Sequence, residues 1–222
     1  MNLLLLALAP IVVVIVYIYN KDKYEKEPKT LLFYNFLLGA FVSVIITTII
    51  SIFYDYTLIL DDYSVLQQFI KAFLVVGVTE EFSKYVIVRY FAQPNNAFNE
   101  PFDGIMYAVM VSMGFAATEN LFYVFEGGLQ TGITRAFTAV PAHAIFAILM
   151  GYFMGKAKFS KHRVKYNLIG LLLAICFHGS YDFFLFIDFV PGIWIGAFVS
   201  LVLGIWLSRK AIKNHQEKSY FK

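Results

Sequence analysis

Charged residues are scarce in this chain of 222 residues, since Asp, Glu, Lys and Arg together make up only 15% of it. Soluble domains carry about 25% charged residues, and a water-facing surface could hardly be built from so few. The scarcity excludes a disordered chain and an ordinary soluble enzyme. The single cysteine, Cys176, cannot form an internal disulfide, and its position in an apolar run predicts a buried, unreactive thiol.

Apolar residues are abundant instead, at 59% of the chain, and they form runs of roughly 20 residues. Each run is long enough to cross a hydrocarbon core of about 30 Å as a helix. The pattern predicts an all-α polytopic transmembrane helical bundle, with one membrane domain at 1–210 and a basic cytoplasmic tail at 211–222. The seven predicted spans are about Leu3 to Tyr19, Leu31 to Phe53, Leu66 to Tyr90, Asp103 to Phe125, Arg135 to Gly155, Tyr166 to Ile187, and a last span that ends at Ser208.

The positions of the basic residues predict how the bundle is oriented. Fifteen Lys and Arg lie in alternate loops and the tail, against only Lys71 and Arg135 beside the other loops. Cytoplasmic loops are enriched in such residues, so we expect the N-terminus outside and the C-terminus in the cytoplasm. Because the basic residues lie in short loops, the lipid bilayer is the expected partner and nucleic acid is not. The spacings Gly151-x-x-x-Gly155 and Gly192-x-x-x-Gly196 predict close helix contacts.

Ionisable residues inside the predicted spans are the best candidates for a functional site. Each charge at membrane depth costs at least about 2.5 to 3.5 kcal/mol on insertion scales, so such residues usually serve a purpose. Along helix three, Glu80 and Lys84 share a face, whereas Glu81 projects about 100° away. We therefore expect Lys84 to neutralise one carboxylate while its neighbour faces a cavity. The candidate residues are Glu80, Glu81, Lys84, Glu119, His143, His178 and Asp182.

These groups lie at compatible depths in the predicted bundle. With a rise of 1.5 Å per residue, Glu119 and His178 lie about 24 and 20 Å from the cytoplasmic ends of their helices, and His143 lies about 12 Å below the outer end of its helix. A polar layer at or outward of the midplane follows. It suits three uses, namely hydrolysis by a carboxylate base with histidine, a metal site, and a proton relay. Structural hydrogen bonds alone are the fourth reading.

Three motifs carry a resemblance to a known family. Glu-Glu-x-x-Lys at 80–84, Phe-x-x-x-Glu-Asn at 115–120 and His-x-x-x-Asp at 178–182 resemble the PrsW family of intramembrane proteases. The match extends to Lys21-Asp22-x-Tyr24-x-x-Glu27-Pro28, to Pro141-Ala-His143 and to Met150-Gly-x-x-x-Gly155-Lys-Ala-Lys. It covers about residues 10 to 210 in order. More distantly, the chain is similar to the CAAX prenyl protease and bacteriocin-immunity superfamily.

The resemblance implies a multi-pass enzyme of the bacterial cell membrane that acts in a stress response. Its substrate would be a single-pass anti-sigma factor, cut first on the extracytoplasmic side (site 1), and a site-2 intramembrane protease would then complete sigma factor release. Glu80 or Glu81 would activate water, Glu119, His143 and His178 would complete the catalytic site, and no cofactor is required. The supporting residues would be Lys84, Phe115, Asn120 and Asp182. In a zinc-dependent version, His143, His178 and Glu119 would hold the metal.

Two departures from the wider superfamily bear on these expectations. Its second motif ends in His and its third in Asn, where this chain has Glu119 and Asp182. An ionised Asp cannot donate to an oxyanion, so Asp182 either stays protonated or orients His178. Superfamily relatives have eight helices, and a missed short helix is expected within Tyr56 to Gln68. A non-enzymatic immunity or proton-coupled transport protein is the remaining alternative.

Overall fold

Seven long helices and no strand form the part of the chain described by the computed structural model, residues 2–222. The predicted all-helical membrane fold is therefore confirmed. Within residues 2–222, five stretches are long and apolar enough to cross a membrane, and α3 is the one long helix outside them. The helices are α1 (Leu3–Lys21), α2 (Lys29–Thr57), α3 (65–92), α4 (Phe102–Phe137), α5 (Ala139–Lys158), α6 (Arg163–Phe186) and α7 (Ile195–Glu217).

Helices α4 and α5 form the centre of the bundle. α4 packs against α1, α2 and α5, whereas α5 packs against α4, α6 and α7. In the apolar 18-residue segment of the α4–α5 stretch, 67% of the residues are buried inside the protein. In the corresponding segments of α1 and α2, only 17% are buried. A helix that is apolar all round is buried by neighbours or faces lipid, so α4 and α5 provide the core while α1 and α2 expose apolar side chains outward.

Glycines bring α4 and α5 into backbone contact. A β-carbon at Gly104 of α4 would overlap the backbone of Gly151 and Gly155 in α5, so no larger residue fits there. The predicted packing role of the Gly151–Gly155 pair is thus confirmed. The same prediction is wrong for Gly192, which lies in the α6–α7 connection with φ +80°, and a β-carbon at that position would have no neighbour within 4 Å.

A break at Gly128 divides α4 into the helical pieces 102–127 and 129–137. Gly128 has φ +70°, a value that L side chains rarely adopt. Arg135 therefore belongs to the second piece of α4, and α5 begins at Ala139, four residues later than predicted. An additional short helix thus exists after Gly128. Residues 58–64, inside the segment where it was expected, are not helical.

Helix α3 is irregular on both sides of its charged residues. It contains π-helical segments at Ile70–Gly77 and Val88–Ala92, with the regular turns Val78–Ile87 between them. Such wide turns are frequent at functional sites because they shift which face side chains occupy. α2 has a similar segment at Gly39–Ser43, and Ser43 Oγ lies 2.5 Å from Ser83 Oγ of α3. The two irregular helices are therefore joined beside the charged turn.

Cys176 lies on the exposed face of α6, so the predicted burial of its thiol is wrong. Its neighbour one turn earlier, Leu172, is also exposed. In a membrane helix an apolar run does not distinguish the protein core from lipid, because both are apolar. The apolar run around Cys176 therefore predicted a membrane span correctly, but it could not predict which face of that helix points away from the protein core.

Candidate active site

Polar side chains from four helices meet in one buried layer. α3 contributes three ionisable residues, Glu80, Glu81 and Lys84. α4 and α5 contribute one each, and α6 contributes two. Every member lies within hydrogen-bond distance of another member on a different helix or turn. The remaining members are Glu119, His143, His178 and Asp182, so the structure brings together all seven ionisable residues predicted from the sequence.

Lys84 is the central cation of this layer. Its ammonium nitrogen lies 2.8 Å from Glu81 Oε1, 3.2 Å from Glu80 Oε2 and 3.4 Å from His143 Nδ1. The ring of Phe115 covers it, with the centroid 4.3 Å from Nζ. Lys84 is 2% exposed, so it pairs with both glutamates away from solvent. The prediction that Lys84 would pair with only one of them is wrong. The Lys84 side chain reaches back one helical turn and contacts both residues there, three and four positions earlier in the chain.

His178 is held between two carboxylates. Its Nδ1 lies 2.8 Å from Glu81 Oε1, and its Nε2 lies 3.2 Å from Asp182 Oδ2 and 3.9 Å from Glu80 Oε2. Ionised carboxylates only accept hydrogen bonds, so two such partners require both ring nitrogens to donate, as in an imidazolium. Phe146 stacks on the ring at 4.8 Å between centroids. His178 thus has a fixed orientation and a proton to donate.

His143 has the opposite hydrogen-bonding pattern. Its Nδ1 faces the Lys84 ammonium, which has no lone pair, so this nitrogen accepts. Its Nε2 lies 2.8 Å from Glu119 Oε2 and donates to it. These partners define a neutral imidazole. Its ring stands perpendicular to that of His178, with centroids 5.5 Å apart, so the two histidines differ in charge although they are neighbours.

Arg135 joins the site, although the sequence predicted it only as the outer end of the fifth span. Its Nη2 lies 2.8 Å from Glu119 Oε2 and its Nε 2.8 Å from Asn120 Oδ1. The Asn120 amide in turn donates to the backbone oxygen of Ala7 in α1 at 2.7 Å. Asn120 therefore positions helices and Arg135. The sequence held one signal for Arg135, namely that it is the one cation between Phe125 and Gly155.

A cavity of about 370 Å³ opens onto the layer. Glu80 lines it, whereas Glu81 does not and is only 1% exposed. The sequence left open which of the two adjacent glutamates faces a substrate, and the geometry assigns that position to Glu80. The other polar lining residues are Glu119, Tyr123, Thr134, Arg135, Thr138, His143, His178, Tyr181 and Asp182.

Replacing Arg135 by lysine is expected to lower the activity of this site about 10-fold. Lysine keeps the charge, but it lacks the planar fork that contacts Glu119 and Asn120 together, so both acceptors lose part of their orientation. Initial reaction rates of purified variants would measure the loss. Arg89→Lys, at the other end of the bundle, is the matched control, and an equal loss there would show a general effect of the substitution.

The fit of a metal ion to this layer can be judged from the donor atoms. Glu80, Glu81 and His143 each offer one ligand atom, and the three atoms lie within 4.8 Å of one another. Carboxylate and imidazole ligands suit zinc. However, Lys84 Nζ already contacts all three residues at 2.8 to 3.4 Å. A metal is possible here only if Lys84 withdraws, so in the present arrangement the residues do not fit one.

Comparison with known proteins identifies the family of this chain. The family described as PrsW family intramembrane metalloprotease matches residues 27–207. A protein named Protease PrsW from Geobacillus kaustophilus strain HTA426 is 35% identical over 220 residues, which cover 99% of this chain and 93% of the relative. Protease PrsW from Clostridioides difficile strain 630 is 36% identical over 230 residues, covering 100% and 95%. No solved structure matches the chain.

The fold, the buried acid and histidine layer and these relatives define a bacterial multi-pass membrane peptidase. The chain belongs to the PrsW family of intramembrane proteases. The non-enzymatic alternative is thereby set aside.

Proposed function

We propose that this protease uses Glu80 to activate the water that attacks a peptide bond, without a metal. The observation that carries the proposal is the contrast between the two adjacent glutamates: Glu80 lines the cavity, and Glu81 is enclosed by Lys84 and His178. A general base must lie within hydrogen-bond reach of the proton that it takes. Of the two, only Glu80 lines the cavity that the attacking water would enter.

The surrounding groups supply the remaining chemistry. As Glu80 takes a proton from water, the water oxygen bonds to the carbonyl carbon and charge develops on the carbonyl oxygen. Arg135 lines the cavity and has N–H groups beyond those that contact Glu119 and Asn120, so it is placed to stabilise this charge, whereas both N–H groups of His178 are donated to Glu81 and Asp182. The proton held by Glu80 then passes to the leaving amine as the peptide bond breaks. Lys84 lies 3.2 Å from Glu80 and favours its ionised form, which is the form that accepts a proton from water.

For the substrate, we propose a single-pass membrane anti-sigma factor that is cut near its extracytoplasmic end. The cavity is bounded by Glu119, which lies about 24 Å along α4 from Asp103, and by the helical piece after Gly128. With the orientation predicted from the basic loops, this depth is in the outer half of the bilayer. A downstream site-2 protease would receive the shortened product. The family motifs support this substrate class.

Cleavage in oriented vesicles tests the proposal. The purified full-length chain would be reconstituted with a single-pass anti-sigma factor that carries a different tag at each end, and the new termini would be located by mass spectrometry. We expect one cut within about two helical turns of the outer boundary of the substrate span. Glu126→Gln, which changes an exposed acid of α4, is the control and should cut at the wild-type rate.

Two results would contradict parts of this proposal. A cut near the cytoplasmic end of the substrate would contradict the proposed side of cleavage, while leaving the peptidase assignment intact. Failure to cut any anti-sigma factor, with efficient cleavage of unrelated single-pass proteins, would contradict the substrate class.

A metal-dependent mechanism is the second candidate. Two observations support it, namely the family description as a metalloprotease and the three ligand atoms within 4.8 Å of one another. Because Lys84 fills their centre, we expect purified protein to keep its activity after dialysis against a strong zinc chelator. Elemental analysis of the same sample would measure bound zinc. One zinc per chain, with activity lost on chelation and restored by zinc, would show that Lys84 withdraws and that the metal version is correct.

A further inference from the structure

A second group of carboxylates lies at the other end of α4 from the cavity. Glu25 and Glu27 come from the loop between α1 and α2, and Asp103 comes from the first turn of α4. One oxygen atom from each of the three lies within 4.8 Å of the others. Asp103 is 16 residues before Glu119, which places this group about 24 Å from the catalytic layer.

Two of these three side chains are buried, and within the described residues 2–222 the group has no cationic partner. Glu27 is 2% exposed and Asp103 is not exposed at all. Glu27 Oε1, Asp103 Oδ1 and Glu25 Oε2 accept no hydrogen bond. Within residues 2–222, no Lys, Arg or His nitrogen lies within 4.0 Å of these three carboxylates. A buried charge is costly unless it is paired or bound to a metal, so these oxygens lack a counter-charge.

The second oxygens of two of these carboxylates are held in place by the protein. Asp103 Oδ2 accepts hydrogen bonds from the backbone nitrogens of Asn99, at 2.7 Å, and Glu100, at 2.8 Å. Glu27 Oε2 accepts one from the Tyr107 hydroxyl. The carboxylates are therefore oriented by fixed donors, and each keeps one oxygen free for a further ligand.

The electrostatics of the loop agree with a missing positive charge. Burial, together with the neighbouring Asp103 carboxylate, raises the pKa of Glu27 to about 11. Burial and nearby acids raise the pKa of Asp22 to about 7, although Lys26 opposes this shift. Both oxygens of Asp22 also accept no hydrogen bond. The lysine does not neutralise the group directly, because its ammonium binds the backbone oxygens of Tyr19 and Asp22.

We propose that Glu25, Glu27 and Asp103 bind a hard divalent cation, Mg²⁺ or Ca²⁺, that fastens the α1–α2 loop to the start of α4. Both ions prefer oxygen ligands. Metal to oxygen distances of about 2.0 to 2.6 Å place opposite ligands about 4 to 5 Å apart, which the measured limit of 4.8 Å accommodates. The site gives a role to the Lys21-Asp22-x-Tyr24-x-x-Glu27-Pro28 motif, which the proteolytic mechanism does not use. It is independent of the proposed catalytic residues.

Thermal unfolding of the full-length protein in detergent tests the site. The protein would be treated with EDTA, dialysed and titrated separately with Mg²⁺ and Ca²⁺ at pH 7.5. We expect saturating cation to raise Tm by about 5 °C. Glu25→Gln should weaken the apparent affinity at least about 10-fold, because it removes one charged ligand. Glu25 is only partly buried in a loop, so this variant should still fold.

Terbium luminescence gives a second readout that does not depend on unfolding. Tb³⁺ occupies Ca²⁺ sites and emits when a nearby tyrosine is excited, and Tyr107 is hydrogen-bonded to Glu27. The emission should be displaced by Ca²⁺ or Mg²⁺ and reduced at least about 10-fold in Glu25→Gln at limiting Tb³⁺. Asp103→Asn should abolish it.

Two controls locate the response. Glu126→Gln, with an exposed acid elsewhere on α4, and Glu80→Gln, in the catalytic layer, should both keep the cation-induced rise in Tm. Loss of the rise in Glu80→Gln alone would place the cation in the catalytic layer and overturn the proposal. A wild-type Tm that neither cation changes would also overturn it, and would show that the carboxyl groups hold protons instead.

Discussion

Glu80→Gln is expected to lower the cleavage rate at least about 1000-fold while leaving the amount of folded protein close to that of the wild type. Glutamine keeps the size of the side chain but has no basic oxygen, so water in the cavity loses its proton acceptor. Folding should tolerate the change because Lys84 keeps Glu81 as its closer partner, at 2.8 Å. Single-turnover cleavage in detergent, alongside size-exclusion profiles, would measure both quantities.

Glu81→Gln is the informative comparison for this prediction. It removes a buried partner of Lys84 and His178 rather than a group in the cavity, so we expect a lower Tm and a loss of rate of only about 10- to 100-fold. If the two variants lost rate in the opposite order, Glu81 would be the base. If Glu80→Gln cleaved at the wild-type rate, the proposed mechanism would be wrong.

Lys84→Met is expected to cause the largest loss of stability, about 3 to 5 kcal/mol, and to remove activity with it. Methionine fills a similar volume but leaves Glu80 and Glu81 buried with His178 as their one remaining cation nearby. Breaking a buried ion pair from one side costs this much because the other charge stays desolvated. Thermal unfolding in detergent would show the change as a fall in Tm.

A matched substitution exists in the same helix. Lys71 pairs with Asp62 at 3.2 Å, but both side chains are exposed, so Lys71→Met should hardly change Tm. Adding Glu81→Gln to Lys84→Met should recover part of the lost stability, because it removes one of the two uncompensated charges. An additive, further loss in this double variant would show that Lys84 contributes by packing rather than by charge.

The sequence predicted the secondary structure and the members of the site well because both depend on strong local signals. Long apolar runs specify membrane helices, and a charge within such a run is conspicuous. Residues such as Glu119 and His143 could therefore be assigned to one layer from the helical rise alone. The structure brings them to 2.8 Å from each other.

The sequence could not specify how those members divide their roles. Which of Glu80 and Glu81 faces the cavity depends on the rotation of α3, and the π-helical turns at Ile70–Gly77 change that rotation before the charged residues are reached. Arg135 was missed because a single glycine, Gly128, ends the regular helix and lets the following piece approach Glu119. The exposed face of Cys176 was missed because hydropathy does not separate core from lipid.

The charged turn of α3 also affects how the protein enters the membrane. α3 is the one long helix of residues 2–222 outside the stretches apolar enough to span on their own. Two of its charges gain partners from His143 and His178, which are synthesised 59 and 97 residues later than the groups that they contact. During translation, α3 therefore emerges before its stabilising partners exist. We expect stable insertion of α3 to require α5 and α6, which would make membrane integration of α3 and assembly of the reactive layer one event in biogenesis.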